Sequence, residues 1–250
     1  MIRLRGLRKR LGRKQVLDGV DLEIPTGCTM VVMGQSGTGK SVLLKHIIGL
    51  MRPDEGAIEV DGTDLTSLRE RDLDEVRKRF GMLFQGSALF DSLSVGENVA
   101  LPMREHTAMR EPEIRARVAE RLEWVGLPGI EEMKPASLSG GMRKRVGLAR
   151  AIAIDPAYIL YDEPTTGLDP IMSDVINRLI RSLQQRIGVT SIVVTHDLHS
   201  AFSVGDRMAM LHEGRVVFTG SAEETRTTSD PRVRQFIEGS SVGPLTNGVA

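Results

Sequence analysis

The amino-acid sequence predicts an α/β fold in which a helical segment is inserted into a sheet-forming core. Short apolar runs of strand length alternate with longer stretches whose apolar residues recur at helical spacing. Between two such groups of strands, residues 93–153 show only the helical pattern. The chain has 250 residues, which is enough for one large domain or two small ones.

The N-terminal half is predicted to consist mainly of strands. Alternating apolar residues at 2–7 and 20–24 indicate edge strands, and the apolar run at 29–34 indicates a buried strand. A glycine-rich loop follows this buried run and leads into a helix. The remaining elements predicted in this half are helices at 40–51 and 71–79 and strands at 56–62 and 80–85.

Strands return after the helical insertion. Within the insertion, the amphipathic segment 111–127 is expected to end near Gly126. The elements predicted after it are strands at 158–164 and 190–196, a helix at 171–188, and a hairpin at 207–220 that turns at Glu213 and Gly214.

Composition excludes several classes of protein. Thirty-three Lys and Arg balance thirty-three Asp and Glu, so we expect no nucleic-acid partner. The single cysteine, Cys28, permits no internal disulfide and is typical of a reducing compartment. No segment approaches the ~20 apolar residues that span a bilayer, and the basic N-terminus lacks the apolar stretch of a signal peptide. A membrane role would therefore depend on another protein.

One glycine-rich segment fits a phosphate-binding loop. Residues 34–41, GQSGTGKS, match G-x-x-x-x-G-K-[ST] between a predicted strand and a predicted helix. Glycines let successive N–H groups point at phosphate oxygens, Lys40 supplies charge to the outer phosphates, and the Ser41 hydroxyl is a ligand for Mg²⁺. The alternative is a glycine-rich turn that matches by chance. The predicted nucleotide-binding residues here are Gly34, Gln35, Ser36, Gly37, Thr38, Gly39, Lys40 and Ser41.

A pair of acids ends the apolar strand YILYDEP. The carboxyl ends of strands are where α/β sheets place ligands. We predict that Asp162 holds Mg²⁺ through water and that Glu163 orients and polarises an attacking water. A solvated acidic turn is the alternative, and it is weakened by Pro164 and the following TTGLDP.

Two further polar residues end apolar strands in the same way. Gln85 follows GMLF and His196 follows SIVVT. Either residue alone is more often a structural cap than a catalytic group. Together with the phosphate loop and the acid pair, Gln85 is expected to reach Mg²⁺ and the water, and His196 to hydrogen-bond a γ-phosphate oxygen.

A second candidate anion site begins the segment SLSGGMRKRVGLARAIA. Ser139 precedes Gly140 and Gly141, and a periodic apolar face follows. We predict a helix whose first turn comes after the two glycines. Unpaired N–H groups at a helix start attract anions.

The order of these motifs resembles the nucleotide-binding subunits of ATP-binding-cassette (ABC) transporters, over residues 2 to about 220. The motifs are the phosphate loop, Gln85, LSGGM, YILYDEP, GLD and His196. The resemblance implies a RecA-like P-loop core with an antiparallel β edge subdomain. It also implies one domain over 1–225, with a helical subdomain at about 91–154, and a C-terminal helix and flexible tail over 226–250.

The same resemblance implies an ATPase that acts as a homodimer. ATP and Mg²⁺ bound by one copy are closed over by Ser139, Gly140 and Gly141 of the other, and Leu168 and Asp169 cross between the two sites. Two positions depart from the family pattern. Met142 stands where the motif usually has Gln, and Leu11 stands where an aromatic residue usually stacks on adenine.

Three stretches resemble a narrower group, the ATPases that power MCE-type lipid transporters, including the Mla (toluene-tolerance) systems and the actinobacterial MCE importers. The stretches are 82–107, LSGGMRKR and DPRVRQFIEG. They imply transport of phospholipid or sterol, an integral membrane permease, an MCE-domain substrate-binding protein, and a peripheral location on the cytoplasmic face of the inner (plasma) membrane. An ABC ATPase for an amino acid or ion, and a soluble assembly ATPase, are the alternatives.

Two surface hypotheses accompany this interpretation. Leu89, Phe90, Leu93 and Met103 either line a groove for a permease helix or belong to the core. A helix over 232–237 either docks on the second copy or packs on its own core, and we favour its own core.

Overall fold

A computed structural model describes residues 1–246, and their contacts divide into two compact units. The first comprises Met1–Leu68 and the described residues from Val193 onward, and the second comprises Arg69–Ile192. The strands are β1 (Ile2–Leu11), β2 (Lys14–Ile24), β3 (Thr29–Met33), β4 (Glu55–Val60), β5 (Thr63–Asp64), β6 (Phe80–Leu83), β7 (Tyr158–Asp162), β8 (Thr190–Thr195), β9 (Arg207–His212) and β10 (Arg215–Ser221). The α-helices are α1 (Lys40–Ile47), α2 (Glu70–Arg77), α3 (Val95–His106), α4 (Glu111–Trp124), α5 (Gly140–Ala151), α6 (Pro170–Ile187), α7 (Leu198–Val204), α8 (Ala222–Thr227) and α9 (Pro231–Glu238).

A four-stranded antiparallel sheet in the first unit has the order β2-β1-β4-β5. The strands form because apolar and polar residues alternate, which buries one face of the sheet. The prediction that both N-terminal strands lie at an edge is wrong for β1. Leu4 pairs with Leu22 on one side and with Ile58 on the other, so β1 is an internal strand.

A second sheet places β3 between β9 and β8 in the first unit. All five residues of β3 are buried, as its apolar run predicts, and β3 runs parallel to β9. The predicted hairpin of β9 and β10 is confirmed. Glu213 and Gly214 at its turn have φ of 48° and 74°, the left-handed backbone of a two-residue hairpin turn.

In the second unit, β7 lies between β6 and β8, and β6 and β7 are parallel. β6 ends at Leu83, two residues earlier than the apolar run suggests, so Gln85 lies beyond the strand. The predicted helical stretch is divided into α3, α4, a 3-10 turn at Pro135–Ser137 and α5. The left-handed backbone of Gly126 follows the end of α4, as predicted. The two glycines form the first turn of α5 rather than preceding it. Buried side chains between these helices include Val99, Met103, Ile114, Val118, Leu122 and Leu148.

The C-terminal helix α9 packs on its own unit. Val233 is fully buried beside Met33 and Met210, and Phe236 and Ile237 pack against the same cluster. The Gln235 side chain donates to Ser240 O and accepts from Leu245 N–H, which ties the following turn to the helix. Residues 247–250 of the predicted tail lie outside the described residues.

Within residues 1–246, no helix is both long and apolar enough to span a bilayer.

Candidate functional site

The predicted phosphate loop, residues 34–41, connects β3 to α1 in the first unit. Gly39 occupies the N-cap of α1 with φ of 105°. A Cβ atom there would lie 2.9 Å from the Val16 carbonyl oxygen, so only glycine fits this position. Among the described residues, no side chain caps α1. Helix N-termini of this kind favour anions, because N–H groups and the positive end of the helix dipole lie there.

The Lys40 ammonium lies over the same loop. Its Nζ donates to Gly34 O at 2.8 Å and to Gln35 O at 3.0 Å, and the residue is only 6% exposed. The hydroxyl of Thr38 also donates to Gln35 O, at 2.9 Å. These bonds hold a positive charge at the centre of the loop, where phosphate oxygens would meet it.

His196 and Leu11 are the other predicted positions in the first unit. His196 follows β8, the strand next to β3, and its side chain is exposed. Leu11 ends β1 and is 42% exposed before the turn at Gly12 and Arg13. This turn therefore presents an aliphatic side chain where the family pattern has an aromatic one.

In the second unit, Gln85, Asp162 and Glu163 lie at the same edge of the sheet. β6 and β7 are parallel and Leu83 pairs with Tyr161, so the residues after both strands emerge together. Glu163 has φ of 49° and is 8% exposed, and its Oε2 accepts a hydrogen bond from Thr166 Oγ1 at 3.2 Å. The left-handed backbone turns Glu163 out of the strand direction taken by Asp162.

Lys144 joins these strand ends, and sequence reasoning missed this residue. Its Nζ donates to Gln85 O at 2.5 Å and to Glu163 O at 3.2 Å. Burial lowers the pKa of Lys144, and the charges of Asp162 and Glu163 oppose that shift. The available signal is spacing, because residues 144, 147 and 150 share one face of α5.

The same face of α5 contacts the turn after Gln85. Ser87 and Ala88 have φ of 63° and 47°, and their carbonyl oxygens each accept from the Arg150 guanidinium at 2.7 Å. A Cβ atom on Gly147 would lie 2.9 Å from the Leu83 side chain, so glycine allows this close approach. We call the face of α5 that carries Lys144, Gly147 and Arg150 the clamp face.

The predicted second anion site is a capped helix start. Ser139 is the N-cap of α5, and its Oγ accepts from Met142 N–H at 3.2 Å. Ser139 and Gly140 are exposed, and Gly141 is buried against Met172. Asp169 caps α6 in turn, accepting from the N–H groups of Ile171 and Met172 at 3.0 Å each.

The donors named for Mg²⁺ are a hydroxyl, an amide and a carboxylate, from Ser41, Gln85 and Asp162. All three supply the oxygen ligands that Mg²⁺ prefers. No group of three His, Cys, Asp or Glu side chains among the described residues could form a metal cage. Mg²⁺ bound to nucleotide needs no such cage, because phosphates and waters complete its shell. Each of the three groups is therefore chemically suited to the ion.

Comparison with known proteins adds independent information. The family model described as ABC transporter matches residues 17–166. The probable ribonucleotide transport ATP-binding protein mkl of Mycobacterium leprae is 46% identical over 244 residues, covering 98% of this chain and 70% of that protein. The intermembrane phospholipid transport system ATP-binding protein MlaF of Haemophilus influenzae is 44% identical over 245 residues, covering 98% and 93%.

A solved structure agrees with the sequence matches. The dimeric post-hydrolysis state of the ATP-binding cassette MJ0796, bound to ADP and Pi, superposes with a TM-score of 0.82 at 35% identity, covering 89% of this chain and 99% of that one. The predicted α/β P-loop fold is confirmed. The chain belongs to the ABC transporter family, as one of its ATP-binding ATPase subunits.

Proposed function

We propose that two copies of this chain bind two ATP molecules head to tail and hydrolyse them to energise lipid transport. The chain has one phosphate loop, at 34–41, and one helix start at Ser139 of the kind proposed to close over it. A complete site therefore needs a loop from one copy and the Ser139, Gly140 and Gly141 backbone from the other. The dimeric cassette at 35% identity supports this arrangement.

The observation that carries the hydrolytic part is the convergence of Gln85 and Glu163. These residues end two parallel strands, and one ammonium group, that of Lys144, reaches both of their carbonyl oxygens. An amide and a carboxylate held at one sheet edge can hydrogen-bond the same water molecule beside the same phosphate.

The phosphate loop binds the substrate in this proposal. Backbone N–H groups of residues 34–41 cradle the phosphates, and Lys40 exchanges its bonds to Gly34 O and Gln35 O for bonds to phosphate oxygens. Ser41, Gln85 and Asp162 would hold Mg²⁺, which when bound neutralises charge on the phosphates.

Glu163 orients and polarises the attacking water. Its Oε2 accepts from Thr166 Oγ1, which restrains the orientation of the carboxylate. His196 donates a hydrogen bond to a γ-phosphate oxygen.

Asp169 caps α6 beside the Ser139 helix start and approaches the opposite site in the closed dimer. Loss of the γ-phosphate removes the charge that holds the two copies together, and the dimer opens.

Replacing Glu163 with Gln tests the mechanism. The substitution keeps the shape and removes only the water-polarising charge, so we expect hydrolysis to fall by about 10³-fold while ATP binding is kept. Phosphate release and equilibrium nucleotide binding would be measured together with dimerisation in Mg-ATP. Turnover near the wild-type rate would remove Glu163 from its role. A variant that stays monomeric at high concentration with Mg-ATP would contradict the head-to-tail dimer.

Lipid is the cargo that the phospholipid-transport relative and the narrower sequence resemblance both support. The phospholipid-transport relative covers 98% of this chain, and residues 82–107 and 230–239 carry the narrower resemblance. We propose an integral membrane permease and an MCE-domain substrate-binding protein as partners, with the subunit held peripherally at the cytoplasmic face of the inner (plasma) membrane. The name of the mycobacterial relative favours ribonucleotide as a second candidate cargo.

The cargo can be identified from the small molecules and proteins that co-purify with the tagged chain. The tagged chain would be purified in mild detergent, and bound small molecules would be extracted and analysed by mass spectrometry. Phospholipid or sterol with a permease and an MCE-domain protein supports the proposal. Ribonucleotide without lipid supports the second candidate, and recovery without any permease would favour a soluble assembly ATPase.

We propose that the segment 89–93 docks the permease. Phe90 is 53% exposed, and the buried Asn98 side chain fixes its backbone by accepting from Phe90 N–H and donating to Phe90 O. Met103 is fully buried and belongs to the core instead. Phe90→Asp should reduce permease recovery, whereas Leu50→Asp, a control at an equally exposed apolar residue, should not. Equal recovery with both variants would contradict this surface.

A further inference from the structure

We propose that Lys144 is a positioning residue, which holds the backbone of Gln85 and of Glu163 to the helix that begins at Ser139. This inference rests on the proposed function, in which Gln85 and Glu163 serve the ATP of their own copy and Ser139 serves that of the partner. Lys144 would then link the two ATP sites mechanically within one subunit.

The first support is the chemistry of a buried ammonium. Lys144 is 5% exposed, and its Nζ donates to two main-chain carbonyl oxygens, those of Gln85 at 2.5 Å and of Glu163 at 3.2 Å. Burying a charged group is costly unless it is hydrogen-bonded. Hydrogen bonds from a charged donor are also stronger than neutral ones. The two segments therefore cannot move away from α5 without exposing or orphaning this charge.

The second support is the rest of the clamp face. Arg150, nearly two turns further along α5, donates to Ser87 O and Ala88 O, and Gly147 lies close to Leu83 between them. Three residues of one helix therefore follow the chain from the end of β6 through the turn after Gln85. Lys144 differs from Arg150 because it also reaches Glu163.

The third support is the turn at Glu163. Glu163 O accepts from Thr166 N–H at 3.2 Å as well as from Lys144, and the Thr166 hydroxyl donates to the Glu163 carboxylate. The Lys144 bond therefore restrains the same short turn that orients the proposed catalytic carboxylate. Glu163 sits there in a left-handed backbone conformation that tertiary contacts must maintain.

These contacts connect Ser139 to the hydrolytic residues. α5 is continuous from Gly140 to Ala151, and a helix moves as a rigid element over five residues. Closure of the partner's nucleotide on Ser139 would displace the first turn of α5 and, through Lys144, the carbonyls of Gln85 and Glu163. A shift of about 1 Å in a catalytic group changes turnover by up to about 100-fold.

The test compares Lys144→Met with Arg150→Met in the full chain. Methionine keeps the length and packing of the lysine stem and removes its donor. We expect Lys144→Met to lower kcat by about 10- to 100-fold, with KM for ATP within about twofold of the wild type. Arg150→Met, which leaves Glu163 untouched, should lower kcat several-fold less. The proposal would be overturned if, in both variants, the loss of kcat were in the same proportion to the decrease in Tm. A rise in KM with unchanged kcat in Lys144→Met would also overturn it.

Hydrogen–deuterium exchange gives a readout that is independent of activity. Lys144→Met should speed exchange in peptides covering residues 86–88 and 164–166, and Arg150→Met should affect only 86–88. Unchanged exchange at 164–166 in Lys144→Met would overturn the proposal. If Lys144→Met does not fold, Lys144→Gln, whose shorter amide cannot span both acceptors, takes its place with the same two expectations.

The two proposals can fail separately. Glu163→Gln removes turnover with Lys144 intact, and its exchange at 86–88 should match the wild type. Absence of ATPase activity in the wild-type chain would contradict the proposed function. The exchange comparison at 86–88 and 164–166 would still decide whether Lys144 holds the segments that contain Gln85 and Glu163.

Discussion

Two helices of this protein begin where an anion is proposed to bind, and they begin differently. α1 follows Gly39, which has left-handed backbone, and no side chain caps it in the described structure. α5 follows Ser139, whose hydroxyl caps it by accepting from Met142 N–H. Among the described residues, the first helix start has no side-chain cap, whereas the second satisfies one N–H group with its own cap residue.

The difference explains why the two helix starts would act at different times. In the proposed function, the uncapped start beside Lys40 receives phosphate within a single copy, so one subunit would hold ATP alone. In the same proposal, the start capped by Ser139 receives a phosphate only when the second copy brings one. The comparison therefore predicts separable defects in binding and in closure.

The largest effect should come from Lys40→Ala. Removing the charged hydrogen bonds to phosphate should weaken ATP binding by the isolated chain by about 100-fold. Titration calorimetry with Mg-ATP measures it. Lys45→Ala, at an exposed lysine on the same helix, should bind as the wild type does. A change of less than threefold for Lys40→Ala would break the distinction between the two helix starts.

Ser139→Arg should give the opposite pattern. The bulky side chain fills the space for the partner's nucleotide, so steady-state ATPase should fall by about 30-fold while ATP binding by the isolated subunit stays within twofold. Ser137→Arg, at an exposed position two residues earlier, serves as the control. Lost binding in Ser139→Arg would mean that this helix start contributes to the first binding step.

A smaller effect concerns the cap itself. Ser139→Ala removes the hydroxyl that accepts from Met142 N–H and should lower the free energy of unfolding by about 1 kcal/mol, which is a Tm decrease of about 2–4 °C. Ser139→Gly should cost only a few tenths of a kcal/mol, because glycine is tolerated at an N-cap. Equal Tm values for the wild type and the alanine variant would show that α5 needs no cap.

The smallest expected effect concerns a third helix start, that of α9, which is capped by a charged residue. Asp230 caps α9 by accepting from Arg232 N–H at 2.9 Å, and its hydrogen bond with the Arg232 guanidinium lowers the pKa of this carboxyl from 3.8 to about 2. Because the folded pKa is lowered, the stabilisation is present above about pH 4 and is lost as pH falls towards 2.

Asp230→Asn keeps a capping oxygen and removes the charge. Allowing for solvent screening, the wild-type advantage should be on the order of 1 kcal/mol at pH 5 and should shrink by pH 3. Urea unfolding of both proteins at the two pH values measures the difference. An advantage that grows on acidification would contradict the assigned sign.

Much of the fold and of the candidate site was predictable from local patterns. The phosphate loop, the hairpin at Glu213 and Gly214 and the end of α4 near Gly126 depend on residues within a few positions of each other. The internal position of β1 was not predictable, because alternation indicates a half-buried strand but not its number of neighbours. The end of β6 at Leu83 was missed because an apolar run does not mark where backbone pairing stops.

The sequence by itself determined the family, the phosphate loop and the identity of the residues that end each strand, because each of these is written in contiguous motifs. Only the tertiary structure decided that Lys144 reaches Gln85, 59 residues away along the chain, and Glu163, 19 residues away. The physical reason is that carbonyl oxygens are common to every residue. The helical spacing of residues 144, 147 and 150 places Lys144 on one face of α5, but it does not identify the main-chain acceptors that this lysine binds.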